Sequence, residues 1–478
     1  YIGGLYIWDW VDQGVLTRTP EGTPYIGYGG DFGEVTHGYT GCLDGIMLSD
    51  LSNREELIEV GYCYQNASFS WEDEQKARIR LNNKNYYIDA SNFQGSYELL
   101  CDGAMVKEGV FKVPSTAPQG FSTFETPVSL GDLDQSSEWV LNLYLETTQE
   151  YPWGKKGTRI VREQLEINSL GFSLPEQNNA KEKVSYDSTE NCFKGPSFKV
   201  KLNTETGLLE DYQLENRLVF LRGPRVNFWR PPTCNDAGSR VKPSKNKYEH
   251  LWRTTGGFHD MKHTLKSLDI DANEIRALYD VSGSPEGGFK VEVTKTLYSS
   301  GNILFHYDIE AHGKRKFLNM RSLPKIGTQC ILPQGLENMS WYGHGPYDNY
   351  SDRRNGTLLG HYSSTVDEQY MDYPYPQDYG NKTGVRWVSM ENESGHGLMV
   401  SGNVALTTSA RHYSDDNITE ARHTYDLEKQ KEITFNIDLV QSGVGNNSCG
   451  GNPPLEPYRV KANHVSYSFV LAPMNSKK

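Results

Sequence analysis

The stretch FKVEVTKTLYSSGNILFHYDI, residues 289–309, decides the fold class. Apolar side chains occupy every second position over 289–293 and again over 303–309, which is the period of a β-strand with one buried face. Ser299-Ser300-Gly301-Asn302 separates the two runs and has the composition of a turn. The same alternation returns at residues 465–471. We therefore predict one large antiparallel β domain.

A second group of alternating segments precedes this domain. Apolar residues alternate from Trp139 to Leu145, and Asp102-Gly103 stands between two short apolar runs as a hairpin-type turn. These patterns predict a small antiparallel β-sandwich that begins at about residue 68. Residues 171–188 are polar and without a period, so a linker is predicted there. The large β domain then occupies residues 189–478.

The first fourteen residues, YIGGLYIWDWVDQG, indicate a different kind of strand. Residues 5–11 are apolar on both faces except for Asp9, a pattern typical of a strand covered on both sides in a parallel sheet or barrel. In an extended chain Trp8 and Trp10 lie on one face. An indole at the rim of a barrel strand can form the floor of a sugar subsite, and core packing is the alternative. The spacing leaves both open.

One segment near the N-terminus has a helical pattern. Residues 53–60, NREELIEV, offer Asn53 as the N-cap and place glutamates in the first turn. We predict a helix there, in a segment of mostly irregular sequence that ends near residue 62.

Length, charge and composition limit the classes of function. At 478 residues, with a length prior of roughly 100–200 residues per domain, about three domains are expected. The formal net charge of −13 gives no basic field for a polyanion, so nucleic acid is not an expected partner. No apolar run reaches the roughly 18 residues of a membrane span, and no membrane partner is expected. The 30 tyrosines and 9 tryptophans supply flat surfaces on which sugars can stack.

A glycine-rich stretch, YGGDFGEVTHGYTGCLDG at residues 28–45, carries three carboxylates, Asp31, Glu34 and Asp44. Carboxylates on a glycine-rich loop can coordinate a hard cation or serve as an acid and base pair. Turn formation by the acidic side chains is the alternative.

Two further polar and aromatic stretches lie in the large domain, NFWRPPTCNDAG at 227–238 and WYGHGPYDNY at 341–350. Proline and glycine break both of them into loops that are loaded with hydrogen-bonding groups. Neither contains a nucleophile with its base, and the chain has no G-x-S-x-G and no H-E-x-x-H motif. From the residues alone, the chain is a β-rich protein with sugar-compatible surfaces and without an evident catalytic set.

Five stretches together carry a family resemblance: GGLYIWDWVDQG, YGGDFGE, FWRPPTCNDAG, WYGHGPYDNYSDR and YPQDYGNKTGVRW. In this order and at these intervals they resemble signature stretches of the large β-galactosidases of glycoside hydrolase family 2. The resemblance implies a mainly β chain made of three parts. Residues 1–62 would be the last strand and trailing segment of a (β/α)8 barrel, 63–170 an immunoglobulin-like linking β-sandwich, and 189–478 a large antiparallel β super-sandwich.

The resemblance also implies an activity. The family hydrolyses terminal non-reducing β-D-galactosides by a retaining mechanism with two glutamates, and both would lie upstream of this chain, on earlier barrel strands. No acid here is therefore assigned a catalytic role, and the chain alone is expected to be inactive. The alternatives are a non-catalytic carbohydrate-binding or scaffold protein and a family 2 glycosidase of another specificity.

Four site residues carry over from the resemblance. Trp8 matches the substrate-platform tryptophan of the family, and Gly238 matches the start of a loop that shifts as substrate sinks deeper. Asp44 stands where the family has an asparagine near a bound monovalent cation, and Gly41 where a phenylalanine supplies a backbone carbonyl. Na⁺ or K⁺ is the expected ion, with Mg²⁺ held mostly by upstream residues.

The remaining expectations concern partners and place. The resemblance implies the upstream domains of a parent chain, a galactoside substrate and a homo-oligomer. A bacterial protein of the cytoplasm or periplasm is expected.

Overall fold

The computed structural model describes residue 4 and residues 6–175, 183–237, 248–445 and 453–475. Within these residues the chain is mainly β, and its strands form a short hairpin, a two-sheet sandwich and one large curled antiparallel sheet. The predicted fold class is confirmed. None of the described helices is both long enough and apolar enough to cross a bilayer.

The N-terminal segment contains one hairpin and one helix. Strands β1 (Val15–Arg18) and β2 (Pro24–Gly27) pair antiparallel, and helix α1 covers Glu55–Cys63. The strand predicted at 5–11 is not formed over 6–11, and Leu5 lies outside the described residues. A barrel strand needs a parallel neighbour on each side to pair its backbone. In the described part of the chain it finds one short partner, residues 44–47, through an isolated parallel bridge between Val11 and Met47.

Helix α1 begins one residue later than the predicted N-cap indicates. Arg54, and not Asn53, is the N-cap residue, and its side chain makes no capping hydrogen bond. The guanidinium of Arg54 instead reaches the Asp12 carboxylate at 3.2 Å, and both side chains are buried. The prediction of Asn53 as the cap was wrong because a tertiary ion pair, which has no local signal, sets where the helix starts.

The sandwich consists of two antiparallel sheets, in the orders β3-β4-β7 and β6-β5-β8-β9. Its strands are β3 (Ala67–Asp73), β4 (Arg78–Asn83), β5 (Phe93–Cys101), β6 (Ala104–Phe111), β7 (Phe121–Glu125), β8 (Trp139–Thr147) and β9 (Arg159–Asn168). The predicted turn at Asp102-Gly103 joins β5 to β6. On β8, Leu141, Leu143 and Leu145 are fully buried between the sheets, as the alternation predicts.

The large domain is one continuous sheet of sixteen strands in the described residues. Its first half contains β10 (Ser185–Asp187), β11 (Cys192–Lys194), β12 (Phe198–Asn203), β13 (Leu208–Leu214), β14 (Arg217–Asn227), β15 (Lys262–Asp271), β16 (Glu274–Ser284) and β17 (Gly287–Leu297). Its second half contains β18 (Ile303–Gly313), β19 (Lys325–Leu332), β20 (Asn338–Gly345), β21 (Leu358–Thr365), β22 (Lys382–Glu391), β23 (Gly397–Arg411), β24 (Ile433–Gln441) and β25 (Val465–Met474). Short helices interrupt it: α2 (Cys234–Ala237), α3 (Tyr248–Leu251), α4 (Arg315–Leu318) and α5 (Asp415–Glu420).

Strands β17 and β18 form the hairpin that the opening stretch predicts. Their register pairs Val293 with Tyr307 and Leu297 with Ile303, so the apolar positions of both strands fall on one face. That face is the core, where the ring of Phe289 stacks on Phe228 with centroids 3.9 Å apart. A sheet of this size can bury one of its faces only if it curls so that distant strands pack against that face. Here strands β12–β14 pack over strands β15–β18, and the core lies between them.

The domain boundaries stay predictions, but two observations bear on the predicted linker, 171–188. Residues 176–182 lie outside the described part of the chain. Strand β10 begins inside the predicted linker and pairs with β11, so strand pairing of the large sheet starts earlier than residue 189.

Helix α1 makes several of the contacts that bind the N-terminal segment to the large domain. Arg353 lies between two carboxylates, Asp348 at 2.5 Å and Glu56 of α1. One turn further along α1, Glu59 accepts hydrogen bonds from the Asn355 side chain and the Gly356 backbone, both at 2.8 Å. The helix therefore docks through charge and hydrogen bonds, since none of its residues is fully buried.

The Glu55 carboxyl lies beside this cluster without a cation of its own. Burial, and then the negative charges of Asp348 and Glu56, raise the pKa of Glu55 to about 8. Its buried Oε2 atom has no hydrogen-bond partner. Because the folded chain holds this proton above the ordinary carboxyl range, stability is present at low pH and is lost as pH rises towards 8.

We expect Phe289→Ala to lower the free energy of unfolding of the large domain by about 3–5 kcal/mol, because it removes a fully buried ring from a stacked pair. Urea unfolding followed by the fluorescence of the buried Trp229 and Trp252 measures the change. Glu292→Ala, at an exposed position of the same strand, is the control and should change it by about 0.5 kcal/mol or less. Equal effects of the two variants would contradict the assigned core.

We expect the docking of α1 to weaken between pH 5 and pH 8, and Glu55→Gln, which mimics the protonated acid, to remove that pH dependence. Amide exchange of residues 55–63, corrected for the intrinsic rate at each pH, measures it. Glu59→Gln is the matched control: it removes a contact to Gly356 but should leave the slope with pH in place. A slope that survives in Glu55→Gln would contradict the assignment to this carboxyl.

Candidate functional site

A cleft of about 560 Å³ lies where the N-terminal segment meets the large domain. One wall comes from the loop that carries Gly41 and Asp44, together with Arg54 and Glu56 at the start of α1. The other wall comes from loops of the large domain that lie in or near the two polar stretches noted in the sequence. Its lining residues there include Asn235, Asp352, Arg353, Tyr373, Gln377 and Asp378.

Three of the four predicted site residues, Trp8, Gly41 and Asp44, lie near one another in the N-terminal segment. Gly41 and Asp44 line the cleft. The backbone carbonyl of Asp44 accepts the N–H of Asp9 at 3.2 Å, which places Trp8 next to the same loop. The Trp8 side chain is 81 % exposed and does not line the cavity. Gly238 lies outside the described residues.

Asp44 has a free carboxylate. Within the described residues its side chain makes no hydrogen bond and no ion pair. Gly41 is exposed, with no atom within 4 Å of the position a Cβ would take. A carboxylate and a nearby backbone carbonyl are oxygen donors of the kind that hard cations take. The pair fits an alkali cation in donor type, although it supplies only part of a coordination shell.

No group of three or more His, Cys, Asp or Glu side chains in the described part of the chain is placed to hold a metal ion. The loop's other two carboxylates are occupied by local structure. Asp31 accepts from the backbone of Tyr28 at 2.8 Å and contacts His423 at 3.0 Å. Glu34 accepts the backbone N–H of Gly30 at 2.6 Å. For these two acids, the turn-forming alternative describes what is observed.

A buried ion pair positions the large-domain wall at 233–235. Arg230 contacts Asp236 at 2.9 Å, and both side chains are almost fully buried. The second nitrogen of the guanidinium donates to the carbonyl of Ser442 at 2.7 Å, which ties this loop to the one at 442–445. Burial raises the pKa of Asp236, and the adjacent Arg230 opposes that shift.

The remaining carboxylates of the cleft are also committed to structure. Asp352 accepts the backbone N–H groups of Val444 at 3.0 Å and Gly445 at 2.8 Å. Asp378 pairs with Arg411 at 2.6 Å and accepts the hydroxyl of Tyr350 at the same distance. Among the described acids that line the cleft, Asp44 is thus the one left available to a ligand. The described lining of the cleft offers no pair of available acids for hydrolysis.

Sequence reasoning missed most of the large-domain wall. Asp352, Tyr373 and Asp378 were not singled out as site residues, because in the sequence they are separate polar positions in loops. The available signal was that Asp352 lies in WYGHGPYDNYSDR and Asp378 in YPQDYGNKTGVRW, two stretches that mark loops but not the roles of their residues.

Three family profiles match successive parts of the chain. The profile described as "Beta galactosidase small chain" matches residues 194–471, and "Beta-galactosidase, domain 4" matches 79–168. The profile "Glycosyl hydrolases family 2, TIM barrel domain" matches residues 1–69. They follow one another in the order of the hairpin and helix, the sandwich and the large sheet.

Curated relatives match nearly the whole chain. A protein named β-galactosidase from Priestia megaterium is 26% identical over 475 residues, which is 98% of this chain and 45% of the relative. One from Psychromonas ingrahamii is 25% identical over 487 residues, with the same two shares. The chain thus spans less than half the length of these relatives.

A solved galactose 1-epimerase from Lactobacillus acidophilus aligns with 64% of this chain and 100% of its own, at 12% identity and a TM-score of 0.32, which is too low to support an argument. The small-chain profile, in contrast, covers more than half of the chain. The chain belongs to the β-galactosidases of glycoside hydrolase family 2 and corresponds to their C-terminal portion.

Proposed function

We propose that this chain is part of a retaining β-galactosidase that hydrolyses terminal non-reducing β-D-galactosides, with both catalytic glutamates upstream of residue 1. The observation that carries the proposal is the cleft between the N-terminal segment and the large domain, whose other lining carboxylates serve structure while Asp44 stays available. Retaining hydrolysis needs two carboxyl groups about 5–5.5 Å apart, which this wall does not offer. The chain would complete a site whose reacting groups come from elsewhere.

Trp8 would form the floor of the galactose subsite. Its indole is exposed beside the loop that carries Asp44, and a flat exposed ring can stack on the C–H face of a pyranose. The loop that begins at Gly238 would shift as substrate sinks deeper, as the family resemblance implies. Upstream domains of the parent chain would supply the rest of the subsite, and a homo-oligomer is the proposed assembly, in the cytoplasm or periplasm of a bacterium.

Asp44 and the carbonyl of Gly41 would hold part of the shell of a Na⁺ or K⁺ ion, which would orient a sugar hydroxyl. A carboxylate is a stronger ligand for such an ion than the amide of the family's asparagine. A Mg²⁺ ion, if the parent enzyme has one, would be bound mostly by upstream residues.

The test of the function compares this 478-residue chain with the product of the full open reading frame. We expect o-nitrophenyl β-D-galactoside to be hydrolysed by the longer product and not by the chain alone, because removing a catalytic carboxylate pair costs many orders of magnitude. Turnover by the chain alone would overturn the upstream placement of the acids. The corresponding β-glucuronide is tested in parallel. If the longer product cleaves only the β-glucuronide, the proposed galactoside specificity is overturned. If it cleaves neither substrate, a binding or scaffold protein is favoured.

In the longer product, Trp8→Ala should lower kcat/KM by roughly 100-fold, about 2.7 kcal/mol, because both the stacking surface and the positioning of the sugar are lost. Trp10→Ala is the matched control, since Trp10 is 49 % exposed on the same segment. It should leave kcat/KM within a few-fold of the parent. A Trp8→Ala enzyme with parental kcat/KM but a lowered melting temperature would assign Trp8 to packing instead.

Asp44→Ala should remove the dependence of KM on Na⁺ or K⁺ concentration in the longer product, because the free carboxylate of the site is deleted. Titrating each salt at constant ionic strength and measuring KM tests this. Asp50→Ala serves as control, since Asp50 is exposed on the same segment and does not line the cleft. An unchanged salt dependence in Asp44→Ala would exclude this carboxylate as a ligand.

A further inference from the structure

A second cavity, of about 160 Å³, lies inside the large domain between the strands that form its two layers. Arg225 of β14 forms one side of it, and Lys295 of β17 with His263 of β15 form the other. None of its lining residues is shared with the cleft described above. We call it the Lys295 cavity.

The charged groups that line the Lys295 cavity are all basic. No aspartate or glutamate is among its lining residues. The Lys295 side chain is 1 % exposed, and its ammonium donates a hydrogen bond to the backbone carbonyl of Gly207. An ammonium has three N–H donors, so two remain for another acceptor. In the described part of the chain, the side chains of Arg225 and His263 make no hydrogen bond and no ion pair.

Burial is the first cause of the pKa shift of each of these groups, and no carboxylate is among the causes. Burial lowers the pKa of Lys295 to about 7, with no opposing charge. Burial and the charge of Arg222 lower the pKa of Arg225, and burial and Arg225 lower the pKa of His263 to about 3. A buried cation without a counter-charge is costly to keep.

Two tyrosines form the remaining polar part of the wall and do not compensate for the charge. Tyr279 donates its hydroxyl hydrogen to the carbonyl of Thr206 at 2.8 Å, and Tyr307 donates to the carbonyl of Pro224 at 3.1 Å. Their hydroxyls thereby fix the two backbone segments that carry Gly207 and Arg225. The N–H groups left available among these lining residues are those of Lys295, Arg225 and the His263 imidazole, and Arg225 reaches solvent.

We propose that the Lys295 cavity binds a small oxyanion, a carboxylate or a phosphate, whose oxygens accept hydrogen bonds from Lys295 and Arg225. Both basic groups prefer charged oxygen acceptors, and Arg225 can engage two oxygens at once. The volume admits several water-sized groups, so a small organic acid fits as well as inorganic phosphate. Water alone would satisfy the donors but would leave the charge uncompensated.

The experiment titrates the 478-residue chain with inorganic phosphate, with galacturonate and with neutral galactose, at pH 6 and at constant ionic strength set with sodium chloride. Binding is measured by calorimetry and by the shift in melting temperature. We expect phosphate or galacturonate to bind and raise the melting temperature, with galactose giving no comparable shift. Binding by one of the two anions identifies the source of the oxyanion, and binding by both indicates a site that reads charge and not shape.

Variants assign the binding to the cavity. Lys295→Met keeps the length of the side chain, should raise the melting temperature without ligand and should weaken anion binding at least 10-fold. Arg225→Gln, at a solvent-exposed position, should weaken binding without loss of folding, and Lys290→Met, at an exposed position of the same strand, should leave it unchanged. The proposal is overturned if neither anion binds, if galactose binds equally well, or if both Lys295→Met and Arg225→Gln retain parental affinity.

Discussion

The docking of helix α1 on the large domain centres on one guanidinium. Arg353 is almost fully buried and lies between Glu56 of helix α1 and Asp348 of the large domain, so two carboxylates from distant parts of the chain share one cation. Without it, Glu56 and Asp348 would lose the cation that both contact directly, next to the buried carboxyl of Glu55. A buried ion pair of this kind adds less to stability than its charges suggest, because desolvation offsets the attraction. What it provides here is orientation, since it sets where α1 lies and therefore where the cleft has its second wall.

The parts of the fold that could be predicted from sequence are those whose partners are neighbours in the chain. The β17–β18 hairpin follows from the alternation and the turn at 299–302, because both strands and their connection lie within one continuous stretch, residues 287–313. The pairing of β19 with β14 and β24 has no such signal, although it joins the two ends of the domain. The apolar pattern of residues 5–11 predicts a barrel strand. A pattern within one segment carries no information on whether another strand lies beside it to form backbone hydrogen bonds. The N-cap position of α1 at Arg54 has no local signal either, because Asp12, the ion-pair partner of Arg54, lies more than forty residues away in the sequence.

The candidate site also has one wall that the local sequence indicates and one wall that depends on contacts between distant residues. Asp44 and Gly41 could be placed on a loop from their glycine-rich surroundings, and the family resemblance suggested a cation there. The contacts that build the opposite wall join Arg230 to Ser442 and Asp352 to Gly445, and each spans more than ninety residues of sequence. Such pairs are invisible in a single sequence because an arginine or aspartate in a loop has the same local pattern whether it is solvated or buried.

The large domain contains three buried lysines whose surroundings can be compared. Lys325 is buried against Asp438 at 3.1 Å, and Lys382 lies near the negative charge of Asp348. Lys295 is equally buried and has only a backbone carbonyl. A chain with 61 acidic and 48 basic residues does not lack carboxylates, and it places them beside the other two lysines. Tolerance of an unpaired charge is therefore not a general property of this sheet. The missing carboxylate at Lys295 leaves a position that an anion from outside the chain can fill, which is the physical reason to look for one there.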